Sequence, residues 1–337
     1  NLQKLEDIAQ QFSGRKILVV GDIIADVYLN GKISRISREA PVLVLEEIGK
    51  RIVAGGAGNV VANLAELGSE VYAVGVVGDD YNAEGLKHIL KDLKVHVEGI
   101  VTDKTRPTIS KTRVIAGGRA TVSQQVVRID RELKDPLSKK MEAALIAKLD
   151  KILPQVDGIV LSDYGSGTIT TAIKKLVINQ AGKHKNPCIV DSRYRIGDFS
   201  GVGFAKQNDA ELSAFVGRPI TDMTSLISAG TELLQKLNAN GILITRGEFG
   251  MSLFERGGAV HHIPVADKSE VFDVSGAGDT CVAAFILALT AGFTPVVSAR
   301  IANYASGIAV RKLGTSTVNI KELVEVLEDA RFVTRGV

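Results

Sequence analysis

Four short apolar runs in this chain each end in polar or acidic residues. Lys16-Ile17-Leu18-Val19-Val20 runs into Gly21-Asp22, and Ile159-Val160-Leu161 into Ser162-Asp163-Tyr164-Gly165. Cys188-Ile189-Val190 runs into Asp191-Ser192-Arg193, and Gly241-Ile242-Leu243-Ile244-Thr245 into Arg246-Gly247-Glu248-Phe249-Gly250. Unbroken apolar runs of this length, with no polar alternation, fit strands buried on both faces. Helix-like segments such as 82–93 and 137–153 lie between the runs, so the pattern predicts a doubly wound α/β fold with a mostly parallel sheet. Such sheets gather ligands at the carboxyl ends of their strands. Asp22, Asp163 and Asp191 are therefore expected to converge on one edge, although Asp163 and Asp191 could each be an ordinary cap for the following helix.

Two segments break the pattern. From Val27 to Ile52 the chain becomes alternating and polar, and Thr108 to Ala116 and Thr121 to Arg128 alternate in the same way. These pieces, about 27–52 and 105–130, are expected to pair as a small antiparallel β lid inserted in a single domain spanning 1–337. An open sheet apolar on both faces is also a pairing surface, so a homodimer through the lid is expected.

The chain holds 337 residues, 45% of them hydrophobic, enough for one large core and too apolar for a disordered chain. A formal charge of +3 from 41 basic and 38 acidic residues, with no long run of one sign, argues against a nucleic-acid binder. Cys188 and Cys281 lie in apolar segments without Cys-x-x-Cys spacing and read as buried thiols of a reducing, cytoplasmic compartment. No signal peptide is visible, and the longest apolar run, near 281–291, is too short to span a bilayer.

The chemistry concentrates in Asp273-Val274-Ser275-Gly276-Ala277-Gly278-Asp279-Thr280. Three small residues let bare backbone approach a ligand, and an apolar helix from Cys281 to Leu289 follows. The unpaired amides and dipole of a helix start favour an oxyanion or phosphoryl oxygen, with the Asp279 carboxylate in reach as a base. The alternative is a mere dipole partner in a helix's first turn. A second glycine-rich stretch, Gly55-Gly56-Ala57-Gly58-Asn59, opens a helix near 60–67. It lacks the strand and acidic partner of a dinucleotide fingerprint, and Gly-x-x-x-x-Gly-Lys-[Ser/Thr] occurs nowhere in the chain.

Asp-Val-Ser-Gly-Ala-Gly-Asp-Thr resembles the second signature of the ribokinase-like (PfkB) carbohydrate kinases, and Gly55 to Asn59 resembles the first. The resemblance covers essentially the whole chain and implies ATP-dependent phosphorylation of a sugar hydroxyl. It implies that Asp279 is the catalytic base and that the amides of Gly276, Ala277 and Gly278 form an anion hole. It places the sugar on Asp26, Gly55, Gly56 and Asn59. Lys206-Gln207-Asn208-Asp209-Ala210-Glu211 resembles the family's Lys-Pro-Asn-x-x-Glu segment, with Gln207 in the Pro position. The implied roles are Lys206 and Asn208 at the ATP phosphates, and Glu211 with Asn208 on Mg²⁺ through water, as suits a cation that keeps its waters. Thr245, Gly247 and Gly250 resemble the nucleotide loop, and Asn303 and Gly307 lie on a small-residue helix placed to take adenine. Asp273 and the 310–316 loop hold a monovalent cation in some relatives.

Residues 34–42, Arg106-Pro107-Thr108 and Leu161 to Tyr164 look most like the heptose 7-phosphate kinase domain of ADP-heptose synthesis. Arg38 stands where those kinases usually carry Pro, and Ser192-Arg193 where Lys-Gly is usual after the acid. A phosphorylated acceptor needs cations at the far end of the site. Lys111, Arg113 and Arg128 on the second lid segment are the candidates, with Asp163 added on the sugar side. The alternatives are another sugar or sugar-phosphate kinase of ribokinase or fructokinase type, or a sugar-binding regulator without catalysis.

Overall fold

The computed structural model describes residues 8–118, 121–266, 271 and 273–335. Its main sheet has nine strands: β1 (Lys16–Gly21), β4 (Glu70–Val77), β5 (His96–Thr102), β8 (Gly158–Asp163), β9 (Cys188–Ser192), β10 (Phe204–Asn208), β11 (Gly241–Thr245), β12 (Met251–Glu255) and β13 (Val260–Ile263). Their order is β13-β12-β11-β10-β9-β8-β1-β4-β5. All neighbours are parallel except that β12 runs antiparallel to both β11 and β13.

Alternate residues of a strand point to opposite faces, and β1 shows the consequence. Ile17 and Val19 join one apolar cluster, while Leu18 and Val20 join the other. The first cluster is closed by α1 (Ile8–Phe12), α2 (Ala57–Glu66), α3 (Tyr81–Asp92), α8 (Ala277–Thr290), α9 (Pro295–Ala309) and α10 (Ile320–Arg335). The second is closed by α4 (Lys139–Ile152), α5 (Thr171–His184), α6 (Asp209–Val216) and α7 (Met223–Leu237). Because Leu18 is fully buried between layers, Leu18→Ala would leave a cavity costing about 2–5 kcal/mol. Helix α8, apolar all round, is buried along its length from Asp279 to Ala288, which fixes the reaction turn at its start.

The lid is a separate four-stranded sheet, ordered β3-β2-β6-β7. Its strands are β2 (Ile23–Ile36), β3 (Leu43–Gly56), β6 (Ser110–Gly118) and β7 (Thr121–Arg131). Two antiparallel hairpins, β2–β3 and β6–β7, meet at a parallel β2–β6 pair, a pairing that the antiparallel expectation does not contain. The first hairpin is also longer than its polar stretch suggests. Residues 23–25, 27 and 54–56 are apolar or small because that end is buried, so alternation marks only the exposed part. The outer end leaves Ile36, Leu43, Ile48, Val127 and Ile129 exposed.

Candidate active site

The carboxyl ends of β8, β9 and β10 and the start of α8 enclose a cavity of about 360 Å³. Asp163, Tyr164, Asp191, Arg193, Lys206, Asn208, Glu211 and residues 274–276, 278 and 279 line it. The expected convergence of acids holds for Asp163 and Asp191. Asp22 is instead fully buried, accepting hydrogen bonds from the amides of Tyr164 (2.8 Å), Ser166 and Thr168 (3.2 Å each). Burial raises its pKa, against the pull of those bonds.

The turn before α8 is built on Gly276, which takes φ 80° and caps the helix. A Cβ there would come within 2.6 Å of Asn59 Nδ2, in a conformation that already disfavours side chains. The Ala277 amide is occupied by Val274 O at 3.3 Å, whereas Gly278 N–H meets no protein acceptor among the described residues. A Cβ at Gly278 would lie 2.7 Å from Lys206 Nζ, so the ammonium sits directly against the bare turn. Amide, dipole and ammonium together form a place for a phosphoryl oxygen.

Asp279, 6% exposed, has a protein donor on each carboxylate oxygen. Asn59 Nδ2 donates to Oδ2 at 2.9 Å, and Tyr164 Oη to Oδ1 at 2.7 Å. Burial pushes its pKa up to about 6, while the two hydrogen bonds hold it down. A carboxylate tuned close to neutral pH suits a general base. Lys206 Nζ lies 3.0 Å from Asp191 Oδ2. Burial opposes its charge, but Asp191 and Glu211 overcome this and raise its pKa.

Asn208 and Glu211 form a capping box at the start of α6: Asn208 Oδ1 accepts from Glu211 N at 2.7 Å, and Glu211 Oε2 from Asn208 N at 2.9 Å. Both side chains thus have a local duty, and Glu211 keeps a second oxygen for the cavity. Burial raises the Glu211 pKa, with Lys206 opposing. Asn208 and Glu211 could hold a magnesium ion through water; the described residues contain no cluster of three or more His, Cys, Asp or Glu placed to hold a metal.

Gly55 packs against the Asp26 carboxylate and Gly56 against the backbone of Asp22. A Cβ at Gly55 would lie 2.3 Å from Asp26 Oδ2, and one at Gly56, which takes φ 57°, would lie 2.6 Å from the Asp22 carbonyl oxygen. Asp26 is buried, with Arg113 Nη1 at 2.8 Å and the Thr315 hydroxyl at 3.1 Å. Arg113 is therefore engaged by Asp26, and Arg128 is paired with Asp130 through two bonds of 2.7 and 2.6 Å. Of Lys111, Arg113 and Arg128, only Lys111 is buried without a carboxylate partner among the described residues; burial and then Arg193 and Arg128 lower its pKa. Asp163 accepts from Gly165 N, Ser192 Oγ and Arg195 and so braces the loop after β8 in the cavity wall; the cap of the following helix is Thr170, not Asp163.

Thr245, ending β11, points its hydroxyl to Gln207 O at 3.5 Å. Gly247 and Gly250 both take positive φ, and a Cβ at Gly250 would strike Ile263 O. Asn303 is committed to Pro264 O at 2.7 Å, while Gly307 faces Ala266. Asp273 accepts from Ser275 N (2.8 Å) and Gly314 N (3.0 Å), bonds that hold its pKa down despite burial and tie the reaction turn to the 310–316 loop.

The side chain missed by sequence reasoning is Tyr164. Its position after Asp163 marked it as part of a strand end, and no spacing rule links 164 to 279.

A buried carboxylate at a helix start, a bare amide turn and an adjacent lysine are parts that phosphoryl transfer to a hydroxyl can use. Residues 15–322 match the pfkB family of carbohydrate kinases, and the chain belongs to that family, as an enzyme whose acceptor is an alcohol group. It is 40% identical over 326 residues to the bifunctional protein HldE of Pelobacter propionicus, covering 96% of this chain and 66% of that protein. With HldE of Geobacter sulfurreducens it shares 42% over 308 residues, 91% of this chain and 62% of the relative. The chain thus spans somewhat less than two thirds of the length of these relatives. Its fold is similar to that of Arabidopsis thaliana ribokinase complexed with ribose and ATP, at TM-score 0.72 and 21% identity, covering 94% and 99% of the two chains. Phosphofructokinase-2 from Escherichia coli in complex with potassium gives TM-score 0.73 at 20% identity, with the same coverage. Among the described residues no helix is long and apolar enough to cross a membrane.

Proposed function

We propose that this sugar kinase transfers the γ-phosphoryl group of ATP to the anomeric hydroxyl of D-glycero-D-manno-heptose 7-phosphate, a step of ADP-heptose synthesis. The carrying observation is Asp279, buried and held by two donors beside an open helix start. Asp279 accepts the acceptor hydroxyl's proton as that oxygen attacks phosphorus. The 276–278 turn and Lys206 face the charge on the moving phosphoryl group. Magnesium, bound through water near Glu211 and Asn208, would neutralise phosphate charge. Thr245, Gly247, Gly250, Asn303 and Gly307 form the nucleotide side, and Asp26, Gly55, Gly56 and Asn59 the sugar side.

The heptose reading rests on the likeness to HldE and on the buried Lys111, which has no carboxylate partner among the described residues and suits an acceptor carrying its own phosphate. A monovalent cation beside Asp273 and a homodimer through the apolar outer lid belong to the same reading, as does a cytoplasmic location for a chain with two buried free thiols. The test is ADP release with ATP and a panel of free and phosphorylated sugars. The expected result is a preference for heptose 7-phosphate; equal use of free and phosphorylated sugar removes the heptose assignment and leaves the kinase standing.

A further inference from the structure

Tyr164 joins four parts of the molecule. Its backbone amide is fixed by the buried Asp22 carboxylate, which also holds the amides of Ser166 and Thr168, so the loop after β8 cannot drift. Its ring lies under two cations, Arg193 from beyond β9 at 5.0 Å and Lys111 from lid strand β6 at 5.5 Å. Its hydroxyl reaches Asp279 Oδ1 at 2.7 Å. The other oxygen is held by Asn59, itself anchored by Asn63 Nδ2 to its backbone and side-chain oxygens at 2.9 and 3.2 Å. Asn63 Oδ1 in turn accepts from Thr280 and Val318.

We propose that Tyr164 is a positioning residue for phosphoryl transfer, whose hydroxyl fixes the Asp279 carboxylate in the orientation that meets the acceptor hydroxyl. The proposal rests on the kinase reading of the site. Each carboxylate oxygen accepts more than one hydrogen bond, so the Tyr164 bond leaves room for the acceptor's proton. Tyr164 is not itself the base. Burial, then Asp279 and Asp191, push its phenol well above the ordinary 10, so it stays protonated and always donates. Without this bond a buried carboxylate would keep one donor and could swing about its χ2 axis. The groups facing Asp279 are Asn59 on α2, Tyr164 after β8, Asp191 on β9 and Lys206 on β10. Of these only Asp191 disfavours the ionised form.

Tyr164→Phe keeps the ring and its cations and removes only the hydroxyl. The Asp279 titration, followed by carbon-13 of its carboxyl in substrate-free protein, is expected to move upward by about one pH unit, the worth of one charged hydrogen bond. The acid limb of kcat/KM should move with it, with the ATP KM within about twofold. A limb and a titration both unmoved would overturn the role, whatever happened to stability. If the Phe variant does not fold, replacing all six tyrosines by 3-fluorotyrosine serves instead. The more acidic phenol is a stronger donor and should shift the Asp279 titration downward; no shift overturns the proposal. A carbon-13 shift in a protein that phosphorylates no sugar would sink the kinase reading and leave the bond itself intact.

Discussion

Replacing Asp279 by Asn should make the protein more stable while disabling it. The Asp279 pKa rises from the ordinary 3.8 to about 6, chiefly through burial. The folded state then binds its proton more tightly than the unfolded chain, and stability falls as pH climbs through that window. Below about pH 4 both states are protonated and the group is neutral in effect. Above about pH 6 the folded protein carries a buried charge costing about 3 kcal/mol, from two pH units at roughly 1.4 kcal/mol each. The side chain is almost wholly buried, so solvent screening offsets little of this. An Asn of the same shape can accept from Asn59 with its oxygen and donate to Tyr164, whose hydroxyl rotates to accept. The two hydrogen bonds are already included in that pKa, so the expected gain at pH 8 is about 3 kcal/mol. Urea unfolding at pH 4 and pH 8 measures it: the midpoints should nearly coincide at the lower pH and separate at the higher. With the base gone, kcat should fall about a hundredfold to ten-thousandfold with ATP binding retained. A variant no more stable than wild type at pH 8 would show that Asp279 is not under strain, and a near-normal kcat would remove it from the mechanism.

Other substitutions probe the remaining parts of the site. Arg113→Ala frees Asp26, so the acceptor KM should rise about tenfold for any sugar used, with the ATP KM unchanged. A loss confined to phosphorylated acceptors would instead assign Arg113 to the sugar's phosphate. Glu211→Gln preserves the shape of the capping box but removes charge beside the phosphate site, and a magnesium titration of activity should move to severalfold higher concentration; an unchanged titration counts against the role. Ile48→Lys combined with Ile129→Lys places charges on the exposed outer strands of the lid and should convert a dimer to a monomer in sedimentation, whereas a wild-type protein that sediments as a monomer refutes pairing through the lid.

The parallel sheet was legible in the sequence because strands buried on both faces tend to be continuously apolar, and the runs at 17–20, 159–161, 188–190 and 242–244 are. The reaction turn was legible for a local reason too: three small residues between two acids, followed by an apolar run, mark a bare turn opening a helix, and Gly276 takes the φ of 80° that such a turn needs, with Asp279 in the first helical turn. Other properties depend on groups far apart in the chain. Tyr164 and Asp279 are 115 residues apart and meet at 2.7 Å only because β8 and α8 are brought together. The parallel β2–β6 pair joins segments whose alternation is the same for either direction of pairing. Arg113 read equally well as a free lid cation until the fold supplied Asp26 as its partner, and Asp22 became a buried anchor rather than a site acid for the same reason, whereas Arg128 pairs locally with Asp130 two residues on along its own strand. Local sequence determines which backbone can bend, bury or cap; which charge is left unpaired, and so free to act, is decided by tertiary neighbours.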